Sequence, residues 1–105
     1  MAYTTHTQRM VHIAKERTRQ RVKWGEQRHP LITSGVRGLV PSELVMKSIN
    51  DAAVESDTLS WAHIILEELT EFIDADGDVI AQRAELVQVA ASALAAIQFI
   101  DTGVA

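Results

Sequence analysis

The sequence has no cysteine, two prolines, five glycines and only 5% aromatic residues in 105 positions. Without cysteine there is no disulfide framework, no thiolate zinc site and no cysteine nucleophile. Few prolines and glycines mean few places where regular structure must stop. No apolar run approaches the ~20 residues needed to span a bilayer, and the polar N-terminus does not read as a signal peptide. These absences lead to the expectation of a soluble cytoplasmic protein with no membrane contact. The length suits one domain over residues 1–105.

What is present is unevenly distributed. Residues 1–40 carry eight bases against Glu16 and Glu26, a net of +6, whereas residues 41–105 carry Lys47 and Arg83 against twelve acids, a net of −10. The expected organisation is therefore a basic N-terminal helix and long loop over 1–40, followed by an acidic helical core over 41–105. Blocks of opposite sign either attract each other or serve different parts of a ligand.

The pattern predicts an all-α bundle of about four main helices. The first runs from about Thr5 to Trp24 with a basic outer face and stops at Gly25. Residues 25–40 hold Gly25, Pro30, Gly35 and Gly38 and read as a long loop, which in a small domain is often functional. Pro41 opens the second helix, with Leu44, Val45, Ile49, Ala52 and Ala53 facing inward. The third spans about Leu59–Ile73, and Asp78 caps a fourth over about Val79–Ile100. That fourth helix is apolar around more than half its circumference and rich in alanine, so it is expected at a bundle centre or a dimer interface.

The third helix carries Glu67-Glu68-Leu69-Thr70-Glu71, with Glu68 and Glu71 on one face. On the fourth, Glu85 and Gln88 share a face, and the short turn at 74–78 folds the two helices back on each other. Clustered oxygen ligands on facing helices suit hard divalent cations. The plainer alternative is a solvated acidic face of Glu67, Glu68, Glu71 and Asp74.

Glu68-x-x-Glu71, a short gap and then Glu85-x-x-Gln88 resembles the Glu-x-x-Glu…Glu-x-x-Asp signature of MazG-like nucleotide pyrophosphohydrolases. The likeness is best over residues 58–100. The stretch Arg19-Gln20-x-x-Lys23-Trp24-Gly25-Glu26-Gln27-x-His29-Pro30 also resembles one preceding the core in phage and actinobacterial members. The resemblance implies an all-α, at least dimeric enzyme that cleaves nucleoside triphosphates to monophosphate and pyrophosphate with magnesium or manganese. It implies Glu68, Glu71 and Glu85 as metal ligands with Gln88 as a fourth. Glu67 is then either a water-orienting base or an exposed neighbour. Where the family has its final Asp, this sequence has Gln88, which offers a neutral carbonyl oxygen. Arg19, Lys23 and Arg28 are placed to meet phosphate charge the metal leaves uncovered. Trp24 can stack on a base, with Gln27 and His29 bonding to its edge or to a phosphate; the simpler role for Trp24 is a core anchor.

Two rivals use the same residues. Asp74-x-Asp76-x-Asp78 with Glu85 at the twelfth position mimics an EF-hand calcium loop, but its sixth position is Val79 instead of glycine. The basic first helix also has the charge to contact nucleic acid, although the acidic remainder would repel a long polyanion. A further alternative is a regulatory protein that keeps the fold without turnover. Dimer and tetramer are both compatible with the sequence.

Overall fold

The structure is a computed structural model that describes residues 5–105. Among these the fold is all-α, with four α-helices: α1 His6–Trp24, α2 Glu43–Glu55, α3 Trp61–Asp74 and α4 Val79–Thr102. The segment expected as a plain loop contains a short 3-10 turn, Val36–Leu39. Pro41 lies outside the second helix because Ser42 takes the capping position, its hydroxyl accepting from the Val45 N–H. α4 extends to Thr102, a little beyond the expected end.

Local chemistry sets each helix end. Thr5 and Gln8 cap α1 reciprocally, and Gly25 ends it at φ 67°, a conformation that favours glycine. Ser60 and His63 form the equivalent box at α3, the Nδ1 of His63 accepting from the Ser60 N–H at 3.1 Å. Asp78 caps α4 by accepting from the Ala81 N–H at 3.1 Å.

The chain divides into two compact units. One comprises Leu31–Ala93. Its buried apolar side chains are Met46 and Ala53 of α2 with Phe72 and Ile73 of α3. α2 and α3 pack against each other, and a polar clamp joins their ends. Arg37 pairs with Asp74 Oδ1 at 2.8 Å and donates to the Ile73 carbonyl at 3.2 Å, while the second Asp74 oxygen accepts from the Glu43 N–H at 3.2 Å. One carboxylate thus serves the positive end of α2, and one guanidinium serves the negative end of α3.

The buried face of α2 differs from the expected one. Met46, Asn50 and Ala53 are inside, whereas Leu44, Val45, Ile49 and Ala52 are exposed. The periodicity of apolar residues passed over a stripe that contains an asparagine.

The other unit comprises Met1–Pro30 and Leu94–Ala105. There Arg9 is buried and its Nε bonds Asp101 Oδ2 at 2.9 Å, tying α1 to the last turns of α4. The division thus falls ten residues before the change in charge at residue 40, and Leu31–Val40 folds with the acidic segment.

Within the described residues α4 is not a central helix. Only Gln82 along it is buried, and Ile80 and Ile100 are each at least 80% exposed. Contrary to the reading that no segment approaches a bilayer span, its 24 residues are long and apolar enough by length and composition, with a mean hydropathy of 1.3 over its most apolar window. Scattered polar residues had masked this, since no unbroken apolar run is required.

The α2–α3 turn holds one non-glycine residue in the left-handed region, Asp57 at φ 57°. Asp57 N–H donates to Val54 O and Thr58 N–H to Ala53 O, the pairing of a helix end that prefers glycine at this position. Asp57→Gly is expected to raise stability in denaturant titration by about 0.5–1 kcal/mol, the left-handed penalty removed less the added flexibility of the unfolded chain. Asp57→Ala, which loses aspartate's tolerance of this region, is expected to lower it.

Candidate metal centre

Glu68 and Glu71 are one turn apart on α3, and the turn after Asp74 brings Glu85 of α4 to them. One carboxylate oxygen from each lies within 4.8 Å of the others, and all three residues are half-buried. The connecting turn has the form the sequence suggests. Gly77 adopts φ 88°, Asp78 N–H donates to Ala75 O, and the Asp78 side chain is spent on capping α4. Asp74, which the solvated-face alternative included, is tied to Arg37 and to the start of α2.

Electrostatics mark the cluster as incomplete. The Glu71 carboxyl is pushed from the ordinary 4.5 up to about 7, by burial first, then by hydrogen bonding to Glu85 and the charge of Glu68. Glu85 Oε2 is buried and receives no hydrogen bond. The Glu71 carboxyl donates to Glu85 while it keeps its proton, and once it ionises the two carboxylates face each other with no donor between them. A hard divalent cation would satisfy all three carboxylates at once, and the all-oxygen donor set fits magnesium or manganese.

The remaining sequence-selected residues fall into distinct places. Glu67 is half-buried, its Oε2 accepting from Asn50 Nδ2 at 2.8 Å. Gln88 lies one turn beyond Glu85 with its side chain exposed. Arg19, Lys23, Trp24, Gln27, Arg28 and His29 belong to the other unit and are all exposed. Arg19 forms an exposed pair with Glu16, Arg28 reaches Glu26 at 3.4 Å, and the Lys23 ammonium sits 5.0 Å from the Trp24 ring centre. Trp24 is 53% exposed, so it does not anchor a core in the described chain. A separate concavity of about 310 Å³ lies along α1 beside His12, Arg17 and Gln20, and Arg19 and Lys23 do not line it.

Sequence reasoning missed Asn50. It lies on the same stripe as Met46 and Ala53, and the signal was a polar residue at an inward helical position.

The raised Glu71 pKa gives a definite pH dependence. The folded chain binds this proton more tightly than the unfolded chain, so the associated stability is full below about 4.5 and is lost as pH rises to about 7. A divalent cation must displace the same proton, so manganese affinity is expected to climb over that window and level off above it. Calorimetry at pH 6 in buffers of different ionisation heat should show about one proton released per ion bound. Affinity independent of pH would remove Glu71 from the site.

No protein-family model matches the sequence, and no curated protein or solved structure shows significant similarity to the chain.

Proposed function

We propose that the chain is a metal-dependent nucleoside triphosphate pyrophosphohydrolase, cleaving NTP or dNTP to the monophosphate and pyrophosphate, as the resemblance to MazG-like enzymes implies. The observation that carries this reading is the meeting of one carboxylate oxygen each from Glu68, Glu71 and Glu85 within 4.8 Å. Such an arrangement is costly as pure structure and useful as a cation site.

Glu68, Glu71 and Glu85 would hold magnesium or manganese, and Gln88 would add a neutral carbonyl oxygen. The bound ion would supply charge neutralisation for phosphate oxygens and acidify a coordinated water. Glu67, which precedes Glu68 on α3, would take the proton of the attacking water as the water oxygen bonds to the α-phosphorus. The bond from that phosphorus to its bridging oxygen breaks, and the electron pair leaves with pyrophosphate. The resemblance assigns phosphate contacts to Arg19, Lys23 and Arg28, which are exposed in the other unit. The Arg19–Glu16 pair is open to solvent, so a phosphate competes with it readily. Trp24 keeps an exposed ring for a base, with Gln27 and His29 near it in the chain.

The same reading makes this a cytoplasmic homo-oligomer, dimer or tetramer. The bare apolar surface of α4 is the natural interface, because Glu85 and Asp101 on the same helix are committed to the carboxylate cluster and to Arg9. Those commitments argue for a protein partner over lipid. Gln88 favours a second reading, a binding or regulatory protein with weakened turnover, since the site carries one charge fewer than the pattern it resembles.

Pyrophosphate release from a panel of nucleoside triphosphates with magnesium or manganese tests the proposal. Glu71→Gln is expected to reduce turnover by on the order of 10²-fold or more, the scale of losing an electrostatic element of the transition state, with helicity unchanged. Gln88→Asp should tighten metal binding several-fold. An unchanged rate in Glu71→Gln would sink the assignment. Turnover that is absent in the parent chain and appears with Gln88→Asp would establish the second reading.

A further inference from the structure

Asn50 is the one polar side chain buried on α2, 7% exposed, at a position where the helix otherwise turns Met46 and Ala53 inward. Its amide is half used. Nδ2 donates to Glu67 Oε2 at 2.8 Å, while Oδ1 is buried and receives no hydrogen bond. A leucine has the same branched skeleton of four side-chain heavy atoms without an orphaned carbonyl, so packing alone does not account for asparagine here.

What Asn50 does achieve is orientation. Glu67 has several rotatable bonds and no other hydrogen-bonded partner among the described residues. One bond from a buried donor on the packed neighbouring helix fixes the carboxylate through a single oxygen and leaves the other free. The donor is neutral, so it holds Glu67 without supplying a cation to offset its charge, as lysine or arginine would. Glu67 directly precedes Glu68, the first member of the three-carboxylate cluster.

We propose that Asn50 is a positioning residue, which holds Glu67 with one oxygen engaged and the other directed to the attacking water. The proposal rests on the hydrolase reading above. Asn50 touches neither substrate nor ion in this account and acts only through Glu67.

The test compares the parent chain with Asn50→Leu and Asn50→Ala, each alone and combined with Glu67→Gln. Both single variants should lower kcat about 10–100-fold, the range for residues that orient a catalytic group, with KM and the manganese dissociation constant within about threefold of the parent. The melting temperature of Asn50→Leu should not fall below that of the parent, because the orphaned carbonyl is gone; if that variant does not fold, Asn50→Ala carries the test. On the Glu67→Gln background, removing Asn50 should cost almost nothing further. An unchanged kcat, fully additive losses, or a loss of activity accompanied by a fall in melting temperature and manganese affinity would each overturn the role. A parent chain without turnover would overturn the hydrolase reading and this role together, whereas an active parent with fully active variants would overturn this role alone.

Discussion

Three half-buried carboxylates held within 4.8 Å of one another repel, so one of them, Glu71, gives up its proton only near pH 7. Much of the local architecture serves to hold them there. α3 supplies two of them one turn apart, and the tight turn at Gly77 together with the Asp78 cap starts α4 so that Glu85 reaches the same place. In the absence of a cation, Glu71 retains a proton nearly to neutrality.

The fold that supports this cluster has a small apolar core, so polar clamps carry an unusual share of the work. Asp74 and Arg37 tie the α2–α3 pair at one end, and Arg9 with Asp101 performs the equivalent task in the other unit. The first pair also serves helix ends, Asp74 accepting from the Glu43 N–H at the start of α2 and Arg37 donating to the Ile73 carbonyl at the end of α3. Much apolar surface is left over, above all on α4. Ile80, Val87, Phe99 and Ile100 are exposed on a helix whose only buried residue is Gln82.

The helices were legible in the sequence because their ends are written in side chains that act locally. Gly25 and Asp78 each do what capping chemistry predicts, whereas Ser60 caps an α3 that begins at Trp61, two residues after the start expected at Leu59. The carboxylate cluster was legible too, since spacing along α3 and a short turn suffice to bring Glu85 back to Glu68 and Glu71. The inward face of α2 was not. Its stripe runs through Asn50, and a count of apolar residues cannot anticipate a buried amide whose partner, Glu67, lies on another helix. Asp74 was misjudged for the same reason. As part of an acidic run it looks solvated, and only the tertiary fold brings Arg37 and the start of α2 to it. Long-range polar pairing leaves little trace in local periodicity.

The most direct measurement is a crystal structure of the chain with magnesium and a non-hydrolysable nucleoside triphosphate. The account predicts the ion bound by Glu68, Glu71 and Glu85 between α3 and α4, with the triphosphate oxygens completing its coordination. An ion or nucleotide bound elsewhere, with those three carboxylates still crowded around a shared proton, would contradict it.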